Sequence, residues 1–295
     1  MNDPRRRPIG VFDSGLGGLT VLRALHERLP GEDLIYFGDT ARVPYGTKGE
    51  QTVRSFAQQD AGFLLGLGVK LIVVACNTAS AFALDHLRAF APVPVLGVIA
   101  PGVATALART RGGTVGVIGT SGTIRSGRYQ EGLAAGLADV AGLAPERIVA
   151  RECPLFVPLA EEGLLDHELT RLAVAEYLSE LRGTDIDTLI LGCTHYPLLK
   201  PAIAAFLGPE VALVDSADAL AAAAERLLQR EDLLRPQPGP TVPGPDGGRQ
   251  EFYLSDLPWK FGEIGARFLG RPITDVKTVT LAQMERAGEQ TGRAS

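Results

Sequence analysis

Two cysteines, Cys76 and Cys193, have the residue type and the setting for acid–base chemistry on a carbon atom. Each ends an apolar run that predicts a β-strand, and polar residues follow each of them, a position that a buried structural cysteine has no reason to prefer. Racemisation removes a proton from one face of a carbon atom and returns one to the other face, which two bases on opposite sides do most simply. The two thiols are therefore candidates for such a pair.

The segment after Cys76 predicts an α-helix, because Ala79, Ala83 and Leu87 fall on one face at helical spacing. The free N–H groups at the start of such a helix favour a thiolate and bind carboxylates. Asp13, at the end of the first predicted strand, is expected to assist Cys76 by favouring its thiolate.

After Cys193 the pattern differs, since Pro197 and Pro201 both suit the first turn of a helix and place its start several residues downstream. His195 stands two residues beyond Cys193, which favours a catalytic role as the assistant of that thiol. The third cysteine, Cys153, also ends a predicted strand, but a proline follows it directly and no polar residues do. We expect Cys153 to be structural.

A sheet must position these residues. Short runs rich in Val, Ile and Leu recur along the chain, and most precede a helix-length amphipathic segment, which is typical of a parallel sheet. A loop rich in proline and glycine is predicted at residues 235–248, and the chain after Met284 is expected to be loosely held. The predicted strands are residues 9–13, 33–39, 70–76, 93–99, 114–120, 147–153, 188–193, 211–216 and 251–256.

Three short motifs of the first half recur in the second half in the same order, which indicates a duplicated α/β unit. Two such units would face each other across a cleft, with the carboxyl ends of their strands, where α/β ligand sites lie, pointing into it. We therefore predict an α/β fold of two pseudo-symmetric parallel-sheet domains facing each other across an active-site cleft, formed by residues 1–98 with 212–295 and by residues 99–211. The paired motifs are residues 9–14 with 115–120, 41–44 with 155–158, and 73–78 with 189–194.

Composition argues against several classes of protein. The formal net charge of −5 and the pI near 5.5 disfavour a nucleic-acid-binding surface, which needs clustered Lys and Arg. The most apolar window, residues 62–84, is interrupted by polar residues such as Lys70, so we expect no membrane span and a cytoplasmic location. Three cysteines without a C-x-x-C pair predict neither a disulfide framework nor a zinc site.

The sequence also gives no sign of a cofactor. Residues 15–20 resemble a dinucleotide loop but have Thr20 where the third glycine belongs, so a tight turn that exposes Asp13 and Ser14 is expected instead. None of the five lysines has a setting distinctive of a Schiff base with pyridoxal phosphate. We predict that the protein needs no cofactor and no metal.

Taken together, these motifs are similar to those of the glutamate racemases in the aspartate/glutamate racemase superfamily. The resemblance covers about residues 8–270, and an ordered set of motifs is far more specific than any one of them. The motifs are residues 12–18, 38–46, 75–80, 119–124, 156–162 and 192–197. The chain departs from the family pattern in the loop at 235–248, in its tail and at Cys153.

The resemblance implies that two thiols act as acid and base on glutamate without a cofactor, with Cys76 taking the proton from D-glutamate and Cys193 from L-glutamate. It implies that Asp13 and His195 assist the thiols, that Glu161 lies near the substrate ammonium group, and that D-glutamate is supplied for peptidoglycan. A homodimer is expected, because the family is often dimeric. The substrate contacts that it implies are Asp13, Ser14, Tyr45, Gly46, Asn77, Thr78, Thr120, Thr123, Thr194 and His195, most of which are neutral groups that can hold carboxylates.

Three other functions stay open at this point. A related racemase for aspartate or another small acid would keep both cysteines, although the run at residues 193–197 favours glutamate. A single-nucleophile cysteine hydrolase would use Cys193 with His195 but leave Cys76 idle. A non-catalytic carboxylate-binding module, or a regulator of DNA gyrase as some proteins of the resembled family are, would require neither thiol.

Overall fold

Two parallel β-sheets form the framework of the protein. The computed structural model describes residues 3–137, 145–236 and 248–292. The first sheet has the strand order β10-β9-β2-β1-β3-β4 and the second has the order β6-β5-β7-β8, and every strand pair is parallel. The strands are β1 Ile9–Asp13, β2 Leu34–Gly38, β3 Leu71–Val74, β4 Val95–Gly97, β5 Thr114–Gly119, β6 Ile148–Glu152, β7 Ile186–Gly192, β8 Ala212–Asp215, β9 Gln250–Leu254 and β10 Val276–Thr278.

Helices cover the sheets, and the strands β1, β2, β3 and β5 are buried along their whole length. Burial on both faces explains why these strands are continuous apolar runs and show no alternation. The helices are α1 Leu19–Arg28, α2 Glu50–Gly66, α3 Asn77–Phe90, α4 Ile99–Arg109, α5 Ser121–Arg125, α6 Arg128–Leu137, α7 Phe156–Glu161, α8 Glu168–Arg182, α9 Lys200–Leu207, α10 Ser216–Arg230, α11 Phe261–Leu269 and α12 Leu281–Gly292.

The duplication predicted from the sequence is visible in the topology. Strand β1 lies between β2 and β3, with β4 beyond β3, and strand β5 lies between β6 and β7, with β8 beyond β7. Cys76 follows β3 and Cys193 follows β7, so the two thiols stand at equivalent ends of equivalent strands. The predicted fold of two pseudo-symmetric parallel-sheet α/β domains is confirmed.

All nine predicted strands occur within two residues of their predicted bounds. Strand β10 was not predicted, because it is a three-residue edge strand in which Lys277 and Thr278 are exposed, and so it carries no apolar run. The expectation of a loosely held tail after Met284 is wrong as far as Gly292. Helix α12 packs against α2 there, with Gly288 close to Gly62.

The division of the chain between the two domains stays a prediction, with one adjustment. A boundary before residue 212 would cut β8 away from the sheet that it completes, because β8 pairs with β7 from Thr188↔Ala212 to Leu191↔Asp215. We therefore propose that the second domain extends to Asp215. Of the predicted loop at 235–248, residues 237–247 lie outside the described residues.

Candidate active site

A cavity of about 180 Å³ lies between the two sheets, at the carboxyl ends of their strands. This volume is below the ~300–1,000 Å³ of pockets for drug-sized ligands, so it suits a small metabolite. The cavity is lined by all the predicted site residues except Asp13 and Thr123, namely Ser14, Tyr45, Gly46, Cys76, Asn77, Thr78, Thr120, Glu161, Cys193, Thr194 and His195.

Cys76 is the N-cap of helix α3, as the sequence predicted. Its Sγ accepts a hydrogen bond from the Ala79 backbone N–H at 3.4 Å and lies 3.6 Å from the Ser14 hydroxyl oxygen. Burial and, after it, the Asp13 carboxylate nevertheless raise the pKa of the Cys76 thiol to about 12, although the Ala79 N–H and the Ser14 hydroxyl act to lower it. Cys76 is therefore a thiol in the free protein at neutral pH, which suits a general acid.

Asp13 is buried behind Ser14 and Gly15, where only 1 % of its surface is exposed. The turn at residues 14–18 folds over Asp13, and the Gly15 N–H donates to Asp13 Oδ2 at 3.0 Å. The expectation that this turn exposes Asp13 is wrong, and so is the expectation that Asp13 favours the Cys76 thiolate, since its negative charge opposes a second one. Burial also raises the pKa of Asp13, which makes it a candidate proton carrier.

Cys193 belongs to a chain of polar contacts with His195 and Glu161. The Cys193 Sγ lies 3.8 Å from His195 Nδ1, and His195 Nε2 lies 2.9 Å from Glu161 Oε1. Burial lowers the pKa of His195, but the contacts with Cys193 and Glu161 outweigh burial and raise the pKa to about 10. His195 is therefore an imidazolium at neutral pH, which donates to Glu161 and directs its other N–H toward Cys193.

Three threonine hydroxyls from both halves meet at one end of the cavity. The Thr78 Oγ1 lies 3.0 Å from Thr120 Oγ1 and 3.1 Å from Thr123 Oγ1, and the last two are 3.1 Å apart. Thr123 is fully buried, so it holds the other two hydroxyls and does not line the cavity. Gly46 packs directly against Thr120, which a side chain would prevent, because a Cβ there would lie 2.8 Å from Thr120 Cβ.

The hydroxyl of Tyr45 points away from the cavity. It donates to Asp39 Oδ2 and lies 3.0 Å from Asp60 Oδ2, in a buried cluster that Arg42 completes with hydrogen bonds of 2.6 Å to Asp39 and 3.0 Å to Asp60. Tyr45 nevertheless lines the cavity, so its predicted contact with the substrate stays a prediction, but its hydroxyl is already bound to the two carboxylates. What Tyr45 offers is an anchor for the loop that carries Gly46.

Two buried polar atoms at the site have no hydrogen-bond partner among the described residues, Asn77 Nδ2 and Asp13 Oδ1. Buried polar groups are rarely left unpaired, and Asn77 lines the cavity whereas Asp13 does not, so the unpaired Asn77 Nδ2 indicates a place for a ligand. In the described part of the chain no lysine or arginine lines the cavity. Nor does any group of three His, Cys, Asp or Glu side chains there come together in a way that could hold a metal ion.

Sequence reasoning missed the apolar part of the wall, which Val43, Pro44, Val157 and Pro158 contribute. The signal was available, since these residues belong to the repeated motifs at 41–44 and 155–158. Cys153 lies outside the wall and is fully buried, with its Sγ 3.8 Å from the Arg151 carbonyl oxygen. This agrees with a structural role.

The chain resembles known proteins over most of its length. A family model described as Asp/Glu/Hydantoin racemase matches residues 9–224. A glutamate racemase of Syntrophus aciditrophicus is 50 % identical over 281 residues, which are 95 % of this chain and 99 % of that relative. No helix in the described ranges is long and apolar enough to cross a membrane.

Solved structures agree with this relationship. The crystal structure of glutamate racemase from Thermus thermophilus in complex with β-chloro-D-alanine matches with a TM-score of 0.82 and 46 % identity, covering 96 % of this chain and all of that one. Glutamate racemase from Francisella tularensis in complex with D-glutamate matches with a TM-score of 0.83 and 39 % identity, covering 94 % of this chain and 98 % of that one. The chain belongs to the Asp/Glu/hydantoin racemase family, among its glutamate racemases.

Proposed function

We propose that the protein interconverts L- and D-glutamate through two thiols and without a cofactor. One observation carries the proposal: Cys76 and Cys193 line the same cavity from equivalent ends of the two sheets. A cysteine hydrolase needs one thiol and a carboxylate-binding module needs none, so neither accounts for this pair.

The proposed reaction moves two protons. The thiolate on one side takes the α-proton, so the carbon–hydrogen bond breaks, a sulfur–hydrogen bond forms and the electron pair stays on a planar carbanion. The thiol on the other side then gives its proton to the opposite face of the carbon and becomes a thiolate. Each turnover leaves the two thiols with exchanged protonation states, which proton exchange with water must reverse.

The contacts of the thiols favour one starting state. The imidazolium of His195 faces Cys193, to which we assign the role of base in this state, whereas the raised pKa of Cys76 keeps the other side protonated. This state accepts L-glutamate if Cys193 is its base, as the family resemblance implies. The reaction of D-glutamate first requires Cys76 to lose its proton and Cys193 to gain one. We assign Asp13, whose pKa is raised by burial, to receive the proton of Cys76, and His195 to give a proton to Cys193.

Neutral donors are proposed to hold the substrate carboxylates. The hydroxyls of Thr78, Thr120 and Ser14 and the amide of Asn77 line the cavity, and they add no positive charge beside either thiol. Glu161 lines the same cavity and remains our candidate for the ammonium group, a role it would combine with its bond to His195.

We further propose that the protein acts in the cytoplasm as a homodimer and supplies D-glutamate for peptidoglycan. The family to which the chain belongs supports these roles. Sedimentation equilibrium of the purified protein tests the oligomeric state, and a mass of one chain of 31.2 kDa would contradict the dimer. Rescue of a D-glutamate-requiring bacterial strain by the gene tests the supply of D-glutamate.

The activity is tested by incubating the purified protein with L-glutamate in heavy water, with no added cofactor. We expect loss of optical rotation together with α-deuterium in both enantiomers, because each proton that is returned comes from an exchangeable thiol. L-Aspartate in a parallel reaction tests the nearest alternative, and faster exchange with aspartate would transfer the assignment to that substrate. Absence of D-glutamate in the first reaction would overturn the proposal.

A further inference from the structure

Tyr129, on helix α6, contacts the neighbours of both reactive cysteines. Its hydroxyl donates to Asn77 Oδ1 at 2.8 Å, and Asn77 follows Cys76 directly. Its ring lies against Gly192, where a Cβ would come within 3.2 Å of Tyr129 Cε2, and Gly192 directly precedes Cys193. The side chain is fully buried, and these two contacts connect the segments that carry the two thiols.

The surrounding hydrogen bonds fix which atom donates. The Ser216 hydroxyl lies 3.5 Å from the Tyr129 hydroxyl, but it gives its own proton to the Leu191 carbonyl oxygen at 2.8 Å. The single proton of Tyr129 is therefore directed to the nearer acceptor, Oδ1 of Asn77. This in turn sets the amide of Asn77 with its oxygen toward Tyr129 and its nitrogen on the other side.

The amide nitrogen of Asn77 is available to donate hydrogen bonds to a ligand. Nδ2 is buried and has no partner among the described residues, and Asn77 is 3 % exposed where it lines the cavity. An amide nitrogen carries two donors and no acceptor, so this orientation suits a carboxylate. The reverse orientation would turn Oδ1 toward the carboxylate and repel it.

We propose that Tyr129 is a positioning residue for the racemase reaction, which holds the Asn77 amide with its donors toward a substrate carboxylate and keeps the two thiol loops at a fixed separation. The inference rests on the proposed function, because it needs a carboxylate substrate in the cavity. It assigns a specific part of substrate binding to a residue that does not line the cavity.

The variant Tyr129→Phe tests the hydroxyl and leaves the ring against Gly192. Without the hydroxyl the Asn77 amide can rotate, and we expect the KM for both enantiomers to rise and kcat/KM to fall by about tenfold, the size of effect that one buried hydrogen bond produces. The kcat values should change less than the KM values, since the thiols keep their own hydrogen bonds.

Tyr196→Phe is the matched control. Tyr196 is also fully buried, and its hydroxyl makes one hydrogen bond, to the Cys153 carbonyl oxygen at 2.8 Å. Both variants lose one buried hydrogen bond and should melt at similarly reduced temperatures. Only Tyr129→Phe should change KM, whereas equal changes of KM in the two variants would overturn the proposal.

A double variant distinguishes an effect of Tyr129 that acts through Asn77 from a general loss of packing around the site. In an Asn77→Ala protein, adding Tyr129→Phe should alter kcat/KM by less than about twofold, because the group that Tyr129 positions is already gone. A full additional loss in this background would contradict the proposal. Asn77→Asp, which keeps the acceptor for Tyr129 but replaces the donors by a charged oxygen, should impair binding more than Asn77→Ala does.

A wrong proposed function and a wrong inference about Tyr129 would give different experimental results. If the unsubstituted protein does not racemise glutamate, the function is wrong whatever Tyr129 does. If it racemises glutamate and Tyr129→Phe has an unchanged KM, only the inference about Tyr129 is wrong. Should Tyr129→Phe fold poorly, the comparison of Asn77→Asp with Asn77→Ala still tests the direction of the amide donors.

Discussion

The imidazole Nε2 of His195 lies 2.9 Å from Oε1 of Glu161, on the far side of the ring from Cys193. Glu161 is the last residue of helix α7. The Phe268 ring on α11 makes an edge contact with the imidazole of His195, with the ring centroids 4.9 Å apart. The carboxylate and the packing together keep one face of His195 directed at the thiol. This arrangement makes the protonation of His195 a property of the folded site.

The stability of the protein should depend on pH through this pair. Because the pKa of His195 is raised to about 10, its contribution to the free energy of unfolding is complete below the ordinary histidine pKa of about 6.5 and is lost as the pH rises through about 10. We expect Glu161→Gln to flatten this dependence in thermal melts recorded across that range. Glu162→Gln, at the neighbouring carboxylate that pairs with Lys260 on the surface, is the control and should leave it unchanged.

The two directions of the reaction should respond differently to pH in kcat. The rate from L-glutamate should stay level and fall as His195 loses its proton near pH 10, whereas the rate from D-glutamate should fall at a different pH, because it depends on the proton that Asp13 receives from Cys76. The kcat/KM profiles must coincide, since enantiomers have an equilibrium constant of unity at every pH. Initial rates of both enantiomers between about pH 6 and pH 10 check this, and superimposable kcat profiles would contradict the asymmetry.

Replacing either reactive cysteine should abolish racemisation. Cys76→Ser and Cys193→Ser each remove one of two required proton-transfer groups, and we expect losses of about 10²–10⁴ or more in kcat. Cys153→Ser is the control, because its side chain lies outside the cavity and a hydroxyl can still donate to the Arg151 carbonyl. Polarimetry of the three variants decides the matter, and full activity in either of the first two would remove that thiol from the mechanism.

Tyr45→Phe should affect stability more than substrate binding. The variant removes a donor from the buried carboxylates of Asp39 and Asp60, which we expect to cost about 1–3 kcal/mol of unfolding free energy. Chemical denaturation and KM are measured together, with Tyr253→Phe as the partly buried control, whose hydroxyl bonds to Glu251. A raised KM with unchanged stability would mean that the Tyr45 hydroxyl reaches the substrate after all.

Gly17→Ala should damage the site without touching the substrate. A Cβ at Gly17 would lie 2.5 Å from His195 Nδ1 and would also meet Thr194 Oγ1, so one wall of the cleft must shift. We expect kcat/KM to fall by about tenfold or more, since small displacements of catalytic groups are costly. Gly66→Ala on α2, where a Cβ meets nothing within 4 Å, should leave activity unchanged.

Much of the fold follows from local pattern. The strands β1 to β9 were predictable because each contains a cluster of apolar residues, whereas β10 is short, polar and at an edge. The thiols were predictable because a repeat placed Cys76 and Cys193 at equivalent positions. Local pattern does not report what burial does to charge, so the effect of Asp13 on Cys76 had the wrong sign.

The supporting contacts were not predictable in the same way. Tyr129 and Phe268 reach the site from helices that are distant in sequence, and an aromatic residue on an amphipathic helix carries no mark of the partner that it will meet. Tyr45 was assigned from its motif, but the direction of its hydroxyl depends on Asp60, which lies in the middle of α2. Such relations exist only after the elements have packed.

The matching strand orders of the two sheets also bear on how the protein can act on substrates of opposite chirality. A chain of L-amino acids cannot build the mirror image of its own binding surface, and yet a racemase must bind and convert both enantiomers. A twofold rotation about an axis in the plane of a carbanion exchanges its two faces, so two equivalent half-sites related in this way would present one thiol to each face. A protein made only of L-amino acids can thus act on both enantiomers of its substrate.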